Sequence, residues 1–334
     1  MAMEEPHESA PQPTAAPHGP PLPPSTEVVT GVAEGVWRKF VAYTAGTLPL
    51  PSRRAALDRL LYGLAQPVLG LRVLAADRAL LREGLQPALL LGTFCALLAM
   101  LGDDSWGEFP RKFYRTFVAL APVPSILFAN HYSRLAAFAH RSLGLGACDL
   151  RRGTLWQAFL HALMQAIIVT IALAPLFALL TILPLLGKAL AATVGALWAL
   201  HWVVVEAFDS ARVIYLTSAP QQPAPAEVWF VRASLRLGER LPYIGALLRL
   251  FGRACRRLSA PWREEILLTE RHRGLVFGFA LTTAALLAIP FLNLLFRPII
   301  IVASVHLLAR LRAAGEATDS APDPALGDSK SSPT

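Results

Sequence analysis

Charge is what this sequence has least of. Asp, Glu, Lys and Arg together supply 16% of 334 residues against 54% hydrophobic ones, and mean hydropathy is +0.46. Ordinary soluble domains carry roughly a quarter charged residues, so the balance points instead to a polytopic membrane protein. Lysine is scarcer still, with four in the chain, and a bias towards Ala, Leu and Arg fits a GC-rich bacterial genome. Cysteine is nearly missing. Cys95, Cys148 and Cys255 show no CxxC or Cys/His spacing, so no zinc site, disulfide framework or cofactor is expected. No GxSxG, HExxH, Walker lysine or GxGxxG occurs, which argues against an enzyme. A membrane-embedded enzyme would need His161, Glu206 or Asp209 to gather in one pocket.

The charge that is present is arginine-rich. A net charge of +8 and a pI near 9.9 are also what a nucleic-acid binder would show. Here the arginines lie between apolar runs, which is the positive-inside pattern, so anionic lipid headgroups are the expected partner and nucleic acid is not.

Two apolar runs near the end dominate the chain. Gly274–Phe296 is 23 residues without a formal charge, long enough at about 1.5 Å per residue to reach across a ~30 Å hydrocarbon layer. Pro298–Ala309 is 12 residues and is not long enough. Pro290, Asn293, Arg297 and Pro298 stand between them, which suggests a hairpin that enters the bilayer and turns at Arg297–Pro298.

Upstream, residues 1–36 are Pro-, Ala- and Ser-rich and read as a disordered tail. They lack an apolar core for a signal peptide, and PPLPP is either linker or proline-motif ligand. Residues 37–84 scatter Arg38, Arg53, Arg54, Arg59 and Arg72 among leucines, as an amphipathic helix at the cytoplasmic interface would. Apolar segments at 84–102 and 116–133 read as a first span and an irregular return. Segments 153–187 and 189–205, broken by Pro184, Gly187 and Lys188, read as a helical hairpin. Residues 206–273 hold 11 arginines against 7 acids, with Arg232, Arg236 and Arg240, and again Arg249, Arg253 and Arg257, at i, i+4, i+8. Two cationic helices there are either a solvated face or a lipid-anchoring pair. Residues 313–334 read as a second disordered tail.

The fold expected is therefore an all-α integral membrane bundle over 37–312, with two long transmembrane helices, two hairpins of which the last only partly penetrates, and cytoplasmic amphipathic helices. Counting basic flanks puts it multi-pass in the cell inner (plasma) membrane, with both termini cytoplasmic.

Polar groups inside apolar runs are the candidates for a polar or proton pathway, because each costs about 2.5–3.5 kcal/mol to insert. His161 and Gln165 share a helix face, and an interhelical hydrogen bond is their structural alternative. Glu206 and Asp209 share another, either moving protons or pairing with Arg212. His201 is expected near the interface, and His306 as a packed polar residue. Asn293 and Arg297 occupy the expected tip of the last hairpin.

Ile289-Pro290-Phe291-Leu292-Asn293-Leu294, followed by Pro298 and an apolar run to Leu308, resembles the I-P-x-L-N-L-x-x-x-P hairpin of the CysZ-like sulfate permeases and the related etoposide-induced membrane proteins. Leu183-Pro184-Leu185-Leu186-Gly187 and Glu206-Ala207-Phe208-Asp209 are similar to that family's central hairpin, although Ser210 stands where the family has proline. The resemblance covers roughly 70–310 and implies an oligomeric helical bundle that takes up sulfate or another small anion. Its anion site would lie near a Gly-Leu-Arg element, for which Gly70-Leu71-Arg72 and Leu81-Arg82 compete. An arginine at a helix N-terminus offers suitable donors, and headgroup pairing is the alternative. The eukaryotic branch would place the protein in the endoplasmic reticulum. A different class of function also fits: a non-transporting scaffold using the basic 206–273 region to bind lipid or a partner.

Overall fold

Gly63 and Gly278 mark a close contact between two helices. A Cβ added at Gly63 would overlap the Leu275 carbonyl oxygen, and one at Gly278 would overlap that of Leu60. Helix α2 (Ala56–Ala76) thus lies backbone to backbone against α12 (Arg273–Leu287). Small residues at a crossing permit this approach, and Thr282 Oγ1 adds an interhelical hydrogen bond to the Leu64 carbonyl at 3.2 Å.

The computed structural model describes residues 25–101, 108–119, 126–145, 148–149, 153–183, 186–212, 214–215, 226–288 and 290–319. Helix α1 (Ser25–Thr44) crosses the boundary between a small unit, 1–38, and a large one, 39–334. It starts within the stretch read as a disordered tail, because Val28, Val29, Val32 and Val36 recur at helical spacing once the prolines end at Pro24. Residues 1–24 lie outside the described ones.

In the large unit, α2 is buried through Tyr62, Ala65, Gln66 and Leu69 rather than laid on an interface. The arginines that suggested an interfacial helix bracket an uncharged dozen, Leu60–Leu71, which enters the core. Asp77 caps α3 (Arg78–Met100), accepting from the Ala79 and Leu80 amides at 2.9 and 3.2 Å, and also receives the Ser142 hydroxyl at 2.6 Å. Helix α4 (Phe109–Ala119) and α5 (Ala129–Ser142) follow. The expected span 116–133 falls on the end of one and the start of the other, with 120–125 outside the described residues.

Helix α6 (Leu155–Ile171) opens on a Thr154/Gln157 capping box and continues into α7 (Ala174–Thr181) after a break ahead of Pro175. Helix α8 (Leu186–Ser210) returns beside them, with Trp198 Nε1 donating to the Val169 carbonyl at 2.8 Å. Among the described residues three helical stretches are long and apolar enough to cross a membrane: Arg78–Met100, Leu155–Leu180 and Leu186–Ser210. Each is buried over less than a third of its apolar window, and leucines such as Leu89, Leu97, Leu163, Leu179 and Leu197 face outward.

Two amphipathic helices, α9 (Trp229–Arg240) and α10 (Gly245–Leu258), pack as a hairpin, with Arg249 donating to the Gly238 carbonyl at 2.8 Å. A 3-10 turn (Ala260–Trp262) leads to α11 (Arg263–Arg271). The two-residue strands β1 (Cys148–Asp149) and β2 (Ile214–Tyr215) form an antiparallel bridge in an otherwise helical fold.

The closing segment departs from expectation. Helix α12 ends at Leu287, and α13 runs from Pro290 through Pro298 to Asp319. The turn therefore precedes Pro290, which suits a first helical position where no amide partner is needed. Arg297 lies two turns inside α13, not at a tip. Moreover, Ile299–Leu308 is buried throughout, enclosed by α2, α3, α5, α8 and α12. The longest uninterrupted buried run is covered by protein.

Candidate functional site

The structure separates the two candidate anion-binding arginines. Arg72, exposed on α2, lines an open cleft of about 470 Å³ together with Gly46, Leu69, Leu143, His306 and Arg310. Arg82 is exposed on α3 and does not line it. Among the described residues no carboxylate lines this cleft, and its charge comes from two guanidinium groups, a combination suited to an oxyanion. Behind them runs a chain of hydrogen bonds. Arg310 Nε donates to His306 Nε2 at 3.4 Å, His306 Nδ1 meets Gln66 Oε1 at 2.8 Å, and Gln66 Nε2 donates to the Tyr62 carbonyl at 3.2 Å. With Nε2 accepting from Arg310, Nδ1 must carry the proton that reaches Gln66, so His306 is the neutral Nδ1–H tautomer. His306, expected as a packed polar residue, thus holds a cleft arginine in place.

The remaining candidates divide into two groups. On α6, His161 Nε2 lies 2.8 Å from Asp209 Oδ2 of α8, and its ring sits 4.3 Å from that of Trp262. Gln165, one turn further on, is half-buried and lies outside this pair. Arg212 turns away from both expected acids to meet Glu264 at 2.8 Å and Glu265 at 3.4 Å, because α11 brings two carboxylates closer than α8 itself does. Burial raises the Glu265 carboxyl above its ordinary range while Arg212 opposes the shift. His201 stacks its ring on Trp198 at 5.5 Å and meets Thr269 at 3.4 Å.

Glu206, three residues before Asp209, pairs with Arg297 of α13 at 2.5 Å. Arg297 also sits 5.2 Å over the Tyr132 ring of α5. The neighbouring His131 places Nε2 2.5 Å from the Glu83 carbonyl and Nδ1 3.2 Å from an Arg134 nitrogen, while Arg134 Nε lies 3.5 Å from the Glu83 carboxylate. Four of the expected proton-path residues are thus engaged in contacts between helices, Glu206 with Arg297 and Asp209 with His161, in two separate pairs. Asn293 lies one turn before Arg297 on α13, and its side chain lies outside the described ones.

Sequence reasoning missed Arg310, Gln66, Glu83, His131 and Tyr132. A signal existed for the first two: His306 and Arg310 are spaced i, i+4, and Gln66 is the one amide in the uncharged stretch of α2. Among the described residues no group of three or more His, Cys, Asp or Glu is placed to hold a metal ion. No family model, curated protein or solved structure matches the chain.

Proposed function

We propose that this helical membrane protein is a small-anion permease of the CysZ-like type, with sulfate as the candidate cargo and no enzymatic chemistry. The observation that carries the reading is the Arg72–Arg310 cleft, which two cations from different helices line with no carboxylate among the described residues. An oxyanion entering it would gain charge-assisted hydrogen bonds from both sides. The Glu206–Arg297 pair and the His161–Asp209 contact give polar groups near the spans partners on other helices, as a bundle in a bilayer favours. The same reading supplies its architecture of two long helices with two hairpins, a plasma-membrane location with cytoplasmic termini, and assembly as a homo-oligomer.

Uptake of labelled sulfate into proteoliposomes tests it. Arg72→Ala and Arg310→Ala should each lower uptake about tenfold or more, the loss of a charge-assisted hydrogen bond, whereas Arg82→Ala should leave it unchanged. Arg297→Ala should lower uptake only as far as it lowers folded protein. No flux above empty vesicles, with no anion-induced rise in melting temperature, would eliminate the permease and leave the non-transporting scaffold.

A further inference from the structure

The α9–α10 hairpin is built in two halves. At its base, Phe230, Val231 and Cys255 are buried against Ile168 of α6 and Trp198 and Trp202 of α8. The arginines there are satisfied internally: Arg232 meets Glu270 at 2.9 Å and Arg256 meets Glu227 at 3.1 Å. The tip is different. Tyr243 is 98% exposed, Leu247 66%, Leu250 60% and Ile244 52%, a continuous apolar patch at the turn and on the first half of α10. Beside it Arg236 and Arg240 are exposed and make no ion pair among the described residues, while Arg257 is exposed at the base. Residues 229–258 contain seven arginines and one acid, Glu239, a net +6.

We propose that this tip is an interfacial wedge that inserts its apolar residues into an anionic lipid leaflet while its arginines hold headgroup phosphates. Three observations favour lipid over other occupants. The base is fixed to α6 and α8, two of the candidate spans, so the tip is held beside whatever surrounds them. A patch of large apolar side chains ringed by arginine is the composition of helices that lie in a membrane interface. A second copy of the chain would present the same +6 and be repelled, whereas an anionic leaflet attracts it. The proposal needs only that α6 and α8 lie in a bilayer, and it is independent of anion transport.

The test uses the full chain in nanodiscs of phosphatidylcholine, with or without phosphatidylglycerol. A nitroxide is attached at Tyr243→Cys or Leu247→Cys in a Cys148→Ser background, since Cys95 and Cys255 are buried. Collision with oxygen should exceed collision with a water-soluble nickel chelate in the anionic discs. The double variant Arg236→Gln, Arg240→Gln should lose that preference, by roughly fivefold for each arginine. Hydrogen exchange of residues 241–247 in unlabelled protein should slow in anionic discs, which keeps the test independent of the labelled variants. Nickel-dominated collision in both lipids, or protection that rises only with the number of protein copies per disc, would overturn the wedge.

Discussion

His272 shows how one side chain makes this fold sensitive to pH. Its Nδ1 accepts a hydrogen bond from Arg59 at 2.6 Å, and the residue is buried at the junction of α11 and α12. Burial first, and then the charges of Arg59, Arg53 and Arg271, pull its pKa from 6.5 down to about 4. A depressed value means the folded state releases the proton that the unfolded state still binds. The stabilisation is therefore complete above about pH 6.5 and is lost as pH falls towards 4. The melting temperature should drop across that window, with His272 contributing a slope of at most about 1.4 kcal/mol per pH unit, and His272→Gln should remove that share of it. A scan of melting temperature against pH in detergent checks this; an unchanged slope in the variant would assign the acid sensitivity elsewhere. The sequence showed only a histidine between two arginines, and nothing local in it showed that Arg59, more than two hundred residues away, closes the site.

At the scale of elements, the α2–α12 crossing depends on what is missing from two positions. Gly63→Ala and Gly278→Ala should each destabilise by about 1–3 kcal/mol, because the added methyl meets backbone that can only yield by separating the helices. Gly92→Ala is the matched control. Nothing lies within 4 Å of that position on α3, so it should be neutral or gain up to about 1 kcal/mol of helix propensity. Melting temperatures of the three variants decide the matter, and equal losses at all three would mean the crossing is not close-packed. Elements were legible where apolar runs were long. The apolar segments at 84–102, 153–187 and 189–205 correspond to α3, α6–α7 and α8, since length without charge is a property of sequence alone. The closing turn was misplaced because Arg297 and Pro298 look like a break, whereas Arg297 is paired with Glu206 and Pro298 is accommodated inside α13.

For the whole molecule, the outward-facing leucines of α3, α6–α7 and α8 imply that the chain leaves the bilayer only when the bilayer is dissolved. Membranes washed with alkaline carbonate should retain the full chain in the pellet, and detergent should release it. Recovery in the carbonate supernatant would contradict the assignment of these helices to lipid. The same view shows that apolar character alone does not mark the lipid boundary. Ile299–Leu308, a short run that carries Ser304 and His306, is shielded by other helices, while the longer apolar helices α3, α6–α7 and α8 are left largely exposed.

Sequence alone determined the class of this protein. Low charge, arginine-bounded apolar runs and scarce cysteine specify a helical membrane protein, because the bilayer acts on each segment one at a time through its length and polarity. Tertiary structure decided which polar groups meet. Arg72 and Arg82 are equivalent by local pattern, and only the packing of α2 against α13 brings Arg310 beside the first. Glu206 and Asp209, neighbours on α8, are sent to Arg297 and His161 because two different helices, α13 and α6, pack there. Pairing between residues tens to hundreds of positions apart is a property of the helix contacts, and no local pattern encodes it.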